Sequence, residues 1–292
     1  MISVIVATRD RAPVLERMLD AFRSVQEPPG GWELIVADNG SSDATADALR
    51  ARAATRTLPL RFLRVEQPGK PVALNQALRL AHGDALAFTD DDCVPDRAWL
   101  VAIAERFGAE PSLAGLAGRV EPLTPGDADL ATRTAREPRD LTGPGDLYSI
   151  VLGCNMAFRR SALDRIGPFD PTVGPGSRIP SGNDIDIVYR LHRAGLRFGY
   201  RPEILVLHGH GRATEEARDP VRRRYLIGRG GFYCKWVLRG DLAVARMAGR
   251  ELFTIARGGG AYAGFRRLRP LQLLLKGAAL RLLPERSRTT DP

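Results

Sequence analysis

The chain has 292 residues, 44% of them hydrophobic, and a formal net charge of +9. That is enough apolar material for one large α/β domain with an appendage, or for two modest domains, and it excludes a disordered class. The widely spaced Cys93, Cys154 and Cys234 form no C-x-x-C, which argues against a disulfide framework or a zinc ribbon, and no apolar stretch approaches the roughly 18 residues of a membrane span.

Residues 2–7 form an apolar strand directly after Met1, without the basic segment and cleavage site of a signal peptide, so a cytoplasmic protein is expected. Thr8-Arg9-Asp10-Arg11 turns this strand into a helix from about Pro13, with Leu15, Met18, Leu19 and Phe22 on one side. Pro13 suits a first helical turn. A second unit repeats the pattern: strand 32–37, the polar turn Asp38-Asn39-Gly40-Ser41-Ser42-Asp43, and a helix from about Ala44. Residues 60–65 are a third strand, and Gln67-Pro68-Gly69-Lys70 opens a helix that runs to His82-Gly83. The fourth strand, 85–89, breaks directly into Asp90-Asp91-Asp92.

Alternating strands and helices of these lengths predict a mostly parallel sheet with right-handed crossovers, which puts every strand-to-helix turn on one edge. Ligands of open α/β sheets bind outside the carboxyl ends of the strands, so residues 8–11, 38–43 and 90–92 are expected to line one crevice. No G-x-G-x-x-G or Walker sequence occupies these turns, so neither a dinucleotide nor a P-loop cradle is indicated. Three adjacent aspartates repel one another. A strand end that carries them either caps the next helix, which starts near Asp96, or awaits a cation.

Downstream, a helix over 97–107 and a strand near 116–120 precede a Pro-, Gly- and charge-rich stretch, 122–147, that reads as one long loop. Order returns at 153–158, with a short helix over 161–166 and a second Gly/Pro-rich loop over 172–182. The helix from Asn183 carries Asp184 and Asp186 in its first turn, as the helix dipole favours. Asp186 and Arg190 stand four apart, the spacing of an intrahelical ion pair. Residues 198–207 form one or two short strands that end at His208-Gly209-His210.

Charge is unevenly placed. Residues 218–292 hold 17 Lys and Arg against 5 Asp and Glu, a net of +12 on a chain whose total is +9, so the preceding residues are slightly acidic. A basic tail of this kind suits an anionic partner. In the last helix Leu268, Leu271, Leu275, Ala278 and Leu282 share one stripe, while Arg266, Arg267, Arg269, Lys276 and Arg281 lie largely away from it. That is the signature of an interfacial helix on an anionic membrane surface, and equally of a helix packed on its own domain. No nucleic-acid motif accompanies the charge, so nucleic acid is not an expected partner.

One competing motif is Asp90-x-Asp92-x-Val94, which matches the nucleophile turn of haloacid-dehalogenase-like phosphohydrolases. That turn normally opens its domain, whereas here three strand-helix units precede it, and residues 38–43 would be left without a role. The whole set, 4–11, 36–43, 70–75, 88–92, 153–159, 183–186 and the strand ending at His208, instead resembles the family 2 glycosyltransferases of the GT-A fold. The order and spacing of the pieces carry the likeness, over about residues 1–210. It implies an α/β GT-A catalytic domain over 1–210, with a nucleotide-sugar half over about 1–95 and an acceptor half over about 96–210. A helical, basic C-terminal extension over 211–292 completes the expected chain.

By this resemblance Thr8, Asp10 and Asp38 hold the nucleoside of a nucleotide-sugar. A carboxylate at Asp38 suits the imide N–H of uracil or thymine, hence a UDP- or dTDP-sugar donor. Lys70 reaches the diphosphate, Asp90 and Asp92 bind Mn²⁺ or Mg²⁺, and Asp91 makes structural or sugar contacts. His208 completes the metal shell and tilts it towards Mn²⁺. The residues alone leave open whether His208, or its neighbour His210, ligates or merely ends a strand. Asp184 is the base that deprotonates an acceptor hydroxyl, on a carbohydrate, a lipid-linked molecule or another acceptor. The family commonly has Glu one residue earlier, where this chain has Asn183. The expected activity is an inverting, metal-dependent transfer in cell-envelope or other glycoconjugate synthesis, by a cytoplasmic enzyme, peripheral on the inner face of the membrane if the tail docks there. A non-catalytic nucleotide-sugar-binding scaffold is the alternative of another class.

Overall fold

In the computed structural model the chain is described over residues 1–124, 131–209, 211, 214–257 and 269–283. Strands β1 (Ile2–Thr8), β2 (Trp32–Asp38), β3 (Leu60–Arg64) and β4 (Ala85–Thr89) form its parallel half, in the order β3-β2-β1-β4. β1 and β2 read as nearly unbroken apolar runs because both faces are covered: Val4, Ile5, Val6, Leu34, Ile35 and Val36 expose nothing. Helices α1 (Ala12–Phe22), α2 (Thr45–Ala54) and α3 (Lys70–Leu80) make the crossovers, and α1 buries the four residues its spacing predicts. Register sets Thr8 beside Asp38 and Asp38 beside Arg64, so the strand ends finish level along one edge.

Beyond β4 the sheet changes direction. The elements are β5 (Cys93–Pro95), α4 (Trp99–Ala109), β6 (Leu113–Pro122), β7 (Arg139–Asp140), α5 (Leu147–Ile150), β8 (Asn155–Arg159), α6 (Arg160–Ile166), α7 (Asn183–Arg193) and β9 (Arg197–His208). β8 lies antiparallel between β4 and β6, and β6 runs parallel to β9. β5 pairs antiparallel with β9, which sets Cys93 opposite His208. A three-residue strand leaves no readable period, and β5 escapes sequence analysis for that reason. The described part of the stretch over 122–147 is less of a loop than its composition predicts. Arg133 exchanges backbone hydrogen bonds of 2.8 and 2.9 Å with Val120, β7 pairs with β9, and α5 begins at Leu147. β9 is one strand, and its pairing with β6 is interrupted between Arg201 and Leu205, where Pro202 has no N–H to give.

The loop over 172–182 closes on the start of α3. Lys70 N donates to Pro175 O at 2.8 Å, a Cβ on Gly176 would stand a tight 3.2 Å from the Gly69 Cα, and both glycines take a positive φ that strains any side chain.

Helices α8 (Glu215–Val237), α9 (Leu242–Ala256) and α10 (Arg269–Leu282) pack against α7 and share its apolar core. Tyr189 of α7 meets Phe232 and Trp236 of α8 edge to face, with ring centroids 5.3 and 4.9 Å apart. α8 and α10 touch backbone to backbone at two glycines. A Cβ on Gly230 would lie 2.0 Å from the Leu274 carbonyl oxygen, and one on Gly277 would lie 1.9 Å from that of Ile227. The face of α10 turned inward is therefore Leu274 and Gly277 rather than the predicted leucine stripe; Leu271 is partly covered, while Leu275 and Leu282 stay exposed. Leu268, Arg266, Arg267 and His210 lie outside the described residues.

A buried charge network locks the last helices to α7. Lys235 Nζ donates to Asp186 Oδ1 at 2.6 Å and to Asp170 Oδ2 at 3.1 Å, and Arg281 Nη1 reaches the same Asp170 oxygen at 2.9 Å. The expected Asp186–Arg190 pair forms at 3.1 Å, and Arg281, expected on the solvent side, is drawn inward. Burial pushes the Asp170 carboxyl up, but Thr172, Lys235 and Arg281 outweigh it and hold it below the usual carboxylate range. Its stabilising contribution is complete above the unfolded value of 3.8 and is lost as pH falls through the lower folded value. Lys235→Met leaves two buried carboxylates short of a partner and is expected to cost about 3–5 kcal/mol in urea unfolding at pH 7. The same variant should lose less stability than wild type between pH 5 and pH 3, because Asp170 is then less depressed (roughly one fewer shifted carboxylate). Equal stability of the two proteins at pH 7 would show that Lys235 adds no net stability through Asp170 and Asp186.

Candidate active site

The three strand-end turns meet as their order predicts, and hydrogen bonds between turns hold them. Asp38 is almost fully buried and accepts from Ser41 N at 2.9 Å, with Arg64 Nη1 3.4 Å from its other oxygen. Asp10 sits at the exposed lip with a left-handed φ of 52°. Its Oδ1 accepts from Ser42 N at 2.7 Å and Ser42 Oγ at 3.0 Å, and its own N–H donates to Ser41 Oγ at 2.9 Å. The Ser42 hydrogen bonds hold this carboxyl below its ordinary range. Asn39 carries the link onward: Nδ2 donates to Val65 O and Gln67 O, and Oδ1 accepts from Gly69 N at 2.8 Å, beside Lys70.

Each of the three consecutive aspartates has a different environment. Asp90 is half-buried and ion-paired to Lys70. Asp91 points inward, where Thr8 Oγ1 and Arg11 Nη1 each donate to it at 2.7 Å; burial raises its carboxyl despite Arg11. Thr8, expected at the nucleoside, is thus committed to Asp91 and buried. Asp92 accepts from Arg11 Nη1 at 2.8 Å and lies 3.2 Å from His208 Nε2. Burial pushes the Asp92 carboxyl up, but His208 and then Arg11 outweigh it and hold it well below the usual range. Burial opposes a charged imidazole at His208, yet Cys154 and Asp92 raise it to about 9. Arg11 is the residue that sequence analysis left without a role. Its only signal was general: three adjacent carboxylates need cations.

Asp184 stands at the start of α7, after Gly182 with a left-handed φ of 98°. Its Oδ2 accepts from Gly153 N at 3.0 Å and its Oδ1 from Ile185 N at 2.9 Å, so the carboxylate is aimed from both sides. Gly153 is itself positioned by Asn155, whose side chain donates to Arg119 O and Ile204 O at 2.9 Å each and accepts from Trp99 Nε1 at 2.9 Å. Asn183 is buried, and its carboxamide has no basic group to offer as a second base.

The donor set Asp90, Asp92 and His208 offers hard oxygens and one imidazole, which suits Mn²⁺ or Mg²⁺. Lys70 and Arg11 supply positive charge to these same carboxylates, which is the charge that such an ion would bring. Asp90 is drawn aside by Lys70. Among the described residues the side chains whose ligand atoms come within 4.8 Å of one another are instead Cys93, Cys154 and His208.

Comparison with known proteins agrees with this layout. The chain is 29% identical over 238 residues to the pre-mycofactocin glycosyltransferase of Mycobacterium tuberculosis, and it spans about half of that relative's length, 46%, against 78% of its own. It superposes on the mannosyltransferase PcManGT from Pyrobaculum calidifontis, solved in complex with GDP-Man and Mn²⁺, with a TM-score of 0.64 at 21% identity, over 96% of this chain and 86% of that one. It also superposes on residues 1–349 of S. aureus TarS in complex with UDP-GlcNAc, with a TM-score of 0.60 at 18% identity, over 78% of this chain and 66% of that one. Both likenesses establish the fold, an α/β GT-A architecture with a mostly parallel sheet. Residues 3–167, more than half of the chain, match glycosyl transferase family 2, and the protein belongs to that family as a glycosyltransferase.

Proposed function

We propose that the protein transfers a sugar from a nucleoside diphosphate donor to an acceptor hydroxyl with inversion, using Asp90, Asp92 and His208 to hold a divalent cation and Asp184 as the base. The observation that carries this reading is the placement of Asp184 on a rigid helix start, across the same sheet edge from the Asp90–Asp92 turn. Family membership removes the phosphohydrolase alternative.

In this mechanism the buried Asp38, at the end of β2, accepts the imide N–H of a uracil or thymine base, so the donor is a UDP- or dTDP-sugar. Asp10, fastened to Ser41 and Ser42, shapes the lip beside it. Lys70, which pairs with Asp90, would reach a phosphate oxygen of the diphosphate, and Asp90 and Asp92 would hold the cation. Mn²⁺ or Mg²⁺, when bound, offsets charge on the departing diphosphate. Asp91 stays paired with Arg11 and hydrogen-bonded by Thr8, and keeps the turn in shape. Asp184, held by two backbone N–H groups, takes the acceptor proton as the hydroxyl attacks the anomeric carbon opposite the leaving group.

The acceptor sits, in this reading, at an anionic membrane surface. No described helix is long and apolar enough to cross a membrane. Yet Leu238, Leu242 and Phe253 are exposed at 68, 67 and 58%, with Arg239, Arg246, Arg250 and Arg257 around them on the same segment. Leu242 and Phe253 lie roughly three turns apart on one face of α9. Apolar burial combined with basic charge is the two-signal arrangement of a peripheral binder.

Three outcomes are expected. Asp92→Asn should abolish Mn²⁺-dependent thermal stabilisation by UDP, which in wild type amounts to about 2.7 kcal/mol at 100 times the dissociation constant; GDP and dTDP run in parallel identify the base, and stabilisation by GDP alone would refute the role given to Asp38. Asp184→Asn should keep donor binding and lose transfer by about 10²–10⁴-fold, read as label moved from a UDP-sugar to glycoside and lipid-linked acceptors. Wild-type transfer by that variant would make Asp184 structural. Liposome co-sedimentation should require anionic lipid, weaken with salt, and fall further in Leu242→Glu/Phe253→Glu. Indifference to lipid charge would count against the membrane surface.

A further inference from the structure

The clustering of Cys93, Cys154 and His208 is not used by the mechanism above. These side chains come from three different strands or strand ends. Cys93 opens β5 and faces His208 across the β5–β9 pair. Cys154 immediately precedes β8, whose first residue, Asn155, is level with Thr89 at the end of β4. All three are buried, at 0, 3 and 5% exposure, and both thiols are free. One ligand atom from each lies within 4.8 Å of the others. Asp92 Oδ1 stands beside them, 3.9 Å from Cys93 Sγ and 3.2 Å from His208 Nε2.

Two sulfurs and an imidazole are a soft donor set. Mg²⁺ and Mn²⁺ favour carboxylate, carbonyl and water oxygens, whereas thiolates select Zn²⁺ and its relatives. Two small apolar side chains would fill the same space, so packing alone does not call for sulfur at both positions. The backbone pairing that aligns the ligands belongs to the sheet, so little ordering is needed on binding. We propose that Cys93, Cys154 and His208 form a site for a thiophilic divalent cation such as Zn²⁺, and that its occupation withdraws His208 from the donor's metal. The first half stands on the cluster alone; the second rests on the D-x-D reading above. The consequence is inhibition by Zn²⁺ through a site separate from, but sharing a ligand with, the one that takes Mn²⁺.

Co²⁺ is the probe, because sulfur ligation gives an intense near-ultraviolet charge-transfer band that oxygen and nitrogen ligands do not. The full chain should bind Co²⁺ with such a band, and Zn²⁺ should displace it. Cys154→Ala and Cys93→Ala should each weaken that binding by about 100-fold or more, the upper end of what losing a merely supporting partner costs. Cys234→Ala, which removes the third, half-exposed thiol, should leave the band intact. Should the buried variants fail to fold, wild type still decides: in urea just below the unfolding transition, where transient opening exposes buried thiols, Zn²⁺ should slow maleimide modification of Cys93 and Cys154 but not of Cys234. Absence of the band, its persistence in Cys154→Ala, or equal labelling with and without Zn²⁺ would overturn the site. In a separate arm Zn²⁺ should diminish UDP/Mn²⁺ thermal stabilisation of wild type. A thiolate band without that loss would overturn the competition and leave the site. Absence of UDP/Mn²⁺ stabilisation in wild type before any Zn²⁺ is added would instead indict the D-x-D assignment.

Discussion

Neutralising three adjacent carboxylates at the end of β4 is the constraint around which this molecule is arranged. Left alone, Asp90, Asp91 and Asp92 would repel one another in a partly dry setting. The chain answers with positive groups from separate segments: Lys70 from the start of α3 on Asp90, Arg11 from the β1 turn on Asp91 and Asp92, and His208 from the end of β9 on Asp92. Each partner ties another strand end to the same point. Removing any carboxylate therefore changes both the charge and the convergence of the edge.

A second consequence follows from the position of β5. Three residues after the aspartates pair with β9, and that pairing delivers His208 to Asp92 and Cys93 to His208 in one step. Carboxylates and thiols thus meet at one imidazole.

The C-terminal helices act on the site from behind. Lys235 and Arg281 hold Asp170 and Asp186 under α7, and the aromatic contacts of Tyr189 with Phe232 and Trp236 press on the same helix. Asp184 lies two residues from Asp186, so the helix that carries the proposed base is braced by the segment that also exposes Leu242 and Phe253. The exposed apolar surface of α9 and the helix that carries Asp184 belong to one packed unit.

The sequence by itself determined the local elements and the edge on which the strand-end turns fall. Periodicity reports which face of an element is buried, and alternation of strands with helices dictates a parallel sheet. Asp38, Asp90, Asp92 and Asp184 were legible because each sits where an element begins or ends. Only the tertiary structure decided who meets whom. Arg11 reaches across about eighty residues to Asp92, Cys93 finds His208 through a strand too short to have a period, and the packed face of α10 is fixed by Gly230 and Gly277, which let two backbones touch. A sequence pattern states that a side chain will be buried or charged. Its partner is set by register and packing between segments distant along the chain, and no local spacing encodes that.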